Sequence, residues 1–206
     1  PVVYNSSGYE KAKTLKMLDG LVDIYLPDFK YMDAVLAKKY SHAQDYPEIA
    51  KEALSEMVRQ VGKAEFDSRG MMKKGVIVRQ LLLPGHVKDA KNVLKYLYET
   101  YGDRIYISMM NQYTPMPAMK DDPQLSRKVT DREYERLIDY AISLGLKNGF
   151  MQEGETAKEY KWQRKKQGKN LFRNRSLGTR KNIKQIKQKL RNITLSGKKR
   201  QRKKLL

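Results

Sequence analysis

Cysteine is absent from the 206 residues, which excludes disulfides, thiolate metal ligands and cysteine nucleophiles within this chain. Histidine occurs twice, as His42 and His86, and no serine elbow accompanies either, so a hydrolytic triad cannot be assembled. No glycine-rich loop of the dinucleotide or P-loop type is present. No apolar run is long enough to span a membrane and no signal peptide opens the chain, which makes a cytoplasmic setting the expectation.

Acidic residues are lacking in one place only. Of the 43 Lys and Arg and 23 Asp and Glu, 20 bases and a single acid, Glu159, fall between Lys158 and Leu206. The first 157 residues therefore carry 23 bases and 22 acids, and the formal charge of +20 belongs almost wholly to the tail. The composition divides the chain into a nearly neutral body, 1–157, and a basic low-complexity tail, 158–206. A tail of this charge repels itself, which favours disorder or a fraying helix. It would bind nucleic acid non-specifically and in a salt-sensitive way, with only Tyr160, Trp162 and Phe172 for stacking.

The body alternates strand and helix signals. Pro1–Tyr4, Val22–Leu26, Gly75–Leu83, Ile105–Met110 and Gly149–Gln152 are apolar runs bounded by turn residues. Between them, Glu10–Leu18, Ala34–Lys39, the segment from Tyr46-Pro47 to Gly62, Val87–Tyr101 and a segment opened by Thr130-Asp131-Arg132-Glu133 show helical spacing. The last begins with a capping box. Ala64–Met72 reads as a small hairpin excursion outside the core. This order predicts a parallel α/β sheet of four to five strands with right-handed crossovers and helices over both faces.

In such a sheet every strand-to-helix loop falls on one rim, where ligands bind. The rim collects Asn5, Ser6 and Ser7, then Asp28 and Lys30, then His86, then Asn111, Gln112 and Tyr113, then Gln152 and Glu153. Amides and hydroxyls together with acidic and basic groups suit a polar, zwitterionic ligand. Plainer readings stand beside this one: Lys30 as a solvated lysine, Asp28 as a helix N-cap, His86 as a turn residue, His42 as surface. Arg79, inside a strand, needs a partner to offset desolvation, either an acid of the protein or a ligand.

Four blocks in order resemble radical S-adenosylmethionine proteins of the branch related to the pyruvate formate-lyase activating enzyme. They are Tyr4-Asn5-Ser6-Ser7-Gly8-Tyr9, Asp23 to Lys30 (Asp-Ile-Tyr-Leu-Pro-Asp-Phe-Lys), Val78 to His86 (Val-Arg-Gln-Leu-Leu-Leu-Pro-Gly-His) and Ser108 to Tyr113 (Ser-Met-Met-Asn-Gln-Tyr). The resemblance covers about Pro1 to Thr156. It implies the C-terminal part of a partial (β/α) barrel, with the two preceding units and the Cys-x-x-x-Cys-x-x-Cys ligands of a [4Fe-4S] cluster missing. The apolar opening at Pro1 fits a sequence cut from a longer one.

The resemblance further implies S-adenosylmethionine as cofactor. Asp28 and Lys30 match a segment near its methionine end, Asn5 and Ser6 border the same region, and Arg79 lies near the carboxylate or ribose. Gln112 and Tyr113 stand where relatives often carry a histidine. An intact protein would cleave the cofactor reductively to a 5′-deoxyadenosyl radical, and a glycyl radical enzyme or another protein substrate would be its partner. This chain, without cluster ligands, is expected to be inactive. From about Tyr160 the sequence departs from the resemblance, and the expectation is an out-of-frame or mis-joined translation, with a real extension as the alternative.

Overall fold

The computed structural model describes residues 1–153 and 156–161, with side chains through Met151. The expected tail beyond Lys161 lies outside the described residues. Seven strands form one sheet: β1 (Val3–Ser6), β2 (Ile24–Pro27), β3 (Glu65–Phe66), β4 (Met72–Leu81), β5 (Tyr106–Met110), β6 (Asn148–Glu153) and β7 (Thr156–Lys161). The order is β1-β2-β4-β5-β6-β7, with β3 paired to β4 off that path. Neighbours among β1, β2, β4, β5 and β6 pair parallel, so five strands run the same way, as the alternation of elements predicts. β7 runs antiparallel on β6. Position 157, where the composition changes, falls inside β7.

Five helices connect the strands: α1 (Ala12–Lys16), α2 (Ala34–Ser41), α3 (Tyr46–Val61), α4 (Val87–Tyr101) and α5 (Asp131–Leu144). Their ends follow local chemistry. Asp33 caps α2, its carboxylate accepting from the backbone of Val35 at 2.7 Å and Leu36 at 3.4 Å. Thr130 and Glu133 form the expected capping box of α5. α1 is shorter at both ends than its sequence pattern, and Lys11, at its N-cap, supplies no side-chain acceptor.

The core lies on one face of the sheet. Tyr25, Val76, Val78, Ile107 and Met109 are fully or almost fully buried and pack with Leu15 of α1, Leu54 and Met57 of α3, Val93 and Leu97 of α4, and Leu137 of α5. Each such side chain contributes about 1.5–3 kcal/mol on leaving water. The alternate residues Ile77, Arg79 and Leu81 of β4, and Tyr106, Ser108 and Met110 of β5, are only half-buried. The expectation of helices over both faces is therefore corrected. The strand order follows the chain without a reversal, and crossovers of one hand then place every helix on the same side. A one-residue slip in any strand would turn its buried set outward, so this asymmetry also fixes the register.

Among the described residues β1 pairs only with β2, and Val2 and Val3 beside that edge are more than half exposed. The Ala64–Met72 excursion is a tight hairpin formed by β3 and the start of β4. Asp67 organises its turn by accepting from the backbone of Arg69 at 3.0 Å and of Met71 at 2.9 Å. No described helix is long and apolar enough to cross a membrane.

Candidate functional site

Parallel pairing brings three strands' ends together on the carboxyl rim. The Asp28 backbone N–H donates to Ser6 O at 3.0 Å, and the Phe29 N–H to Arg79 O at 2.8 Å, so the segment after β2 is laced between β1 and β4. A parallel bridge joins Asp28 to Arg79. Side chains follow the backbone. Arg79 Nη2 lies 2.7 Å from Asp28 Oδ1 and donates to Asn5 Oδ1 at 2.8 Å. Lys30 Nζ stands 3.7 Å from Asp28 Oδ2.

One carboxylate thus sits between two cations, with the Arg79 side chain 26% and the Lys30 side chain 38% exposed. Both plain expectations for Asp28 and Arg79 are decided here: Asp33, not Asp28, caps the next helix, and Arg79 has a carboxylate partner. The pairing leaves Arg79 incomplete, because its Nε is buried without a hydrogen-bond partner among the described residues. A buried donor of that kind is costly unless something accepts from it.

Ser6 belongs to the same corner through its backbone, and its hydroxyl accepts from the Gly8 N–H at 3.2 Å. Gly8 has φ +75°, and a Cβ there would lie 2.1 Å from Asp28 O, so only glycine lets the β1–α1 loop approach the β2–α2 loop this closely. The two loops share a further tie that sequence reasoning missed. Tyr46, at the start of α3 and 2% exposed, places its hydroxyl between them. It lies 3.0 Å from Ser7 O and 3.2 Å from Asp28 O, and it accepts from the Lys30 N–H at 3.0 Å. Burial raises its pKa well above the ordinary phenol value, so the proton it donates stays in place. A tyrosine opening an amphipathic helix reads as core, and no sequence signal marks its hydroxyl as a hub.

Behind Lys30 a cavity of about 10 Å³, room for a single water, is lined in part by Gln80, His86 and Asp89. Gln80 is almost fully buried and its Oε1 has no partner among the described residues. Asp89 accepts from the Met32 N–H at 3.2 and 3.3 Å, which anchors the far end of the β2–α2 loop. Burial pushes its carboxyl up to about 6. His86 occupies the N-cap position of α4 without capping it; its Nε2 lies 3.0 Å from Tyr40 Oη, and burial lowers its pKa.

The last two expected site residues take other positions. Gln112 is exposed after β5, while Tyr113 is buried and donates its hydroxyl to Leu125 O at 2.9 Å. Neither hydrogen-bonds to the Asn5–Asp28–Arg79 group in the described structure. His42 is exposed at the end of α2, as expected. The side chains of Gln152 and Glu153 lie outside the described residues. No group of three or more His, Asp or Glu that could hold a metal ion occurs among the described residues.

Fold and site together define an α/β protein with a parallel sheet and a compact charged cluster on its carboxyl rim. No known protein family matches the chain. It is similar to an uncharacterized protein of Methanocaldococcus jannaschii, 26% identical over 146 residues, which covers 71% of this chain and 39% of that protein. The chain thus spans about two fifths of the length of that relative.

Proposed function

We propose that the rim cluster holds the amino-acid end of S-adenosylmethionine, and that the chain is part of a radical S-adenosylmethionine protein related to the pyruvate formate-lyase activating enzyme. The observation that carries this reading is the Asn5–Arg79–Asp28–Lys30 group with its unpartnered Arg79 Nε. An α-amino acid presents an ammonium and a carboxylate on one carbon. Asp28 and Asn5 offer acceptors to the first, and Arg79 Nε and Lys30 Nζ offer donors to the second. The residues present therefore fit that end of the cofactor.

They do not fit the [4Fe-4S] cluster, since the chain has no cysteine to supply thiolates. On this reading the cluster ligands belong to sequence outside these 206 residues, which is compatible with the chain matching two fifths of a longer relative. The sheet would be the C-terminal arc of a partial (β/α) barrel. Support comes from strands in chain order, helices on one face, and an opposite face left half-buried. A glycyl radical enzyme or another protein substrate would be the partner of the intact protein.

The test is calorimetric titration of the full chain. Weak saturable binding of S-adenosylmethionine is expected, with methionine competing and 5′-deoxyadenosine not competing. Arg79→Gln should weaken binding at least about tenfold, the scale of hydrogen bonds between charged groups. No saturation up to about 10 mM, or an unchanged affinity in Arg79→Gln, would overturn the reading.

A further inference from the structure

A second cavity lies beside the cluster and is of a different kind. It has a volume of about 210 Å³ and is walled chiefly by Tyr31, Tyr40, Leu83, Tyr113, Met119 and Leu125, with Lys30 at one side. An apolar cavity of roughly 150 Å³ admits a benzene ring. This one has space for a ring and a short substituent.

Its outer wall is held in place. Tyr113 donates to Leu125 O at 2.9 Å, and Asp122 accepts from the Gln124 and Leu125 N–H groups at 2.9 and 2.8 Å. Asp122 also pairs with Lys39 of α2 at 2.8 Å. These bonds strap the segment after β5 to α2, so the space is kept open by its own walls.

The polar groups around the cavity are mostly committed elsewhere. The Tyr31 hydroxyl is paired with Ser41 Oγ at 3.1 Å, Tyr40 with His86, and Tyr113 with Leu125. Lys30 differs. Asp28 is held by Arg79 at 2.7 Å and only more distantly by Lys30, at 3.7 Å, so two cations share one carboxylate and a positive charge is left over. Tyrosine rings and methionine thioethers favour a flat, polarizable guest.

We infer that this cavity is a binding site for a small ring-bearing carboxylate, its ring between the tyrosine and methionine walls and its acid group on Lys30. The inference goes beyond the cofactor reading and shares only Lys30 with it.

Three probes of one shape test it on the full chain: 3-phenylpropanoate, 3-phenylpropanol and 3-phenylpropylamine, titrated by ligand-observed NMR. The carboxylate is expected to bind about fivefold more tightly than the alcohol, the scale of a partly exposed ion pair, and the amine more weakly still. Lys30→Met should erase the difference between carboxylate and alcohol. Met119→Trp and Leu83→Phe, each shown to be folded by circular dichroism, should fill the space and abolish binding of both.

No saturable binding, equal binding of all three probes, or wild-type binding in both filled variants overturns the inference. S-adenosylmethionine titrated in parallel separates the two claims. Cofactor binding without probe binding sinks the cavity site alone, and probe binding without cofactor binding sinks the cofactor reading alone.

Discussion

Replacing Tyr46 by Phe isolates one hydroxyl from everything else the residue does. The ring stacks on Tyr9 with centroids 5.7 Å apart and meets Phe29 and Tyr31 edge-on at 6.3 and 5.5 Å, and phenylalanine keeps all three contacts. What disappears is the acceptor for the Lys30 N–H and the donor to Ser7 O, at a position 2% exposed. Water cannot easily take its place. Each buried group left unpaired costs about 1–3 kcal/mol, and shared relaxation brings the expected sum to about 2–3 kcal/mol. For a chain of this size that lowers the melting midpoint by about 4–12 °C. Urea unfolding followed by circular dichroism measures it, with Tyr31→Phe as the control. Among the described residues the Tyr31 hydroxyl hydrogen-bonds to Ser41 Oγ alone, on an exposed residue that water can reach, so its loss should cost under about 1 kcal/mol. A Tyr46→Phe protein within about 0.5 kcal/mol of wild type, or a control that loses as much, would refute the assignment of Tyr46 as the tie between the two rim loops.

Two further outcomes follow from residues of the same region. The folded Asp89 carboxyl keeps its proton to about pH 6, whereas an unfolded aspartate releases it near 4. Between those values the unfolded state binds fewer protons, so stability should fall as pH rises from about 4 to about 6, by at most about 3 kcal/mol, and Asp89→Asn should flatten that segment of a stability-versus-pH curve. Gly8→Ala combines a φ of +75° with a methyl group driven against Asp28 O, and should cost about 3 kcal/mol or more in the same urea assay; a fully stable variant would show that the loops can part without penalty.

Much of the fold is legible in the residues because local and global preferences agree. Helix α3 announces itself through Ile49, Ala53, Leu54, Met57, Val58 and Val61 at helical spacing, all but Ile49 of them buried, and α5 through Thr130 and Glu133. β7 is not legible: Thr156-Ala157-Lys158-Glu159-Tyr160-Lys161 looks like the start of a charged tail, and pairing with β6 makes it a strand. The one-sided core is hidden for a related reason. The middle of β4, Val76-Ile77-Val78, is apolar without alternation, which suits burial on both faces, and the order of strands reveals that the described helices lie on one face. At the site, the need of Arg79 for a partner is readable from its place in a strand, and the identity of that partner is not. It depends on a parallel register between segments some fifty residues apart. Tyr46 is hidden because its functional atom is the tip of an otherwise ordinary core residue.

The β3–β4 hairpin enters the sheet at the opposite end of β4 from Arg79, since it precedes that strand and the rim follows it. Ser68 at its turn is exposed. In a chain without cysteine, Ser68→Cys would create the sole thiol, at a distance from the charged rim set by most of the length of a ten-residue strand. A fluorophore or surface tether attached there would leave both rim loops and the cavity beside Lys30 untouched, which makes the hairpin a natural handle for measuring what the rim binds.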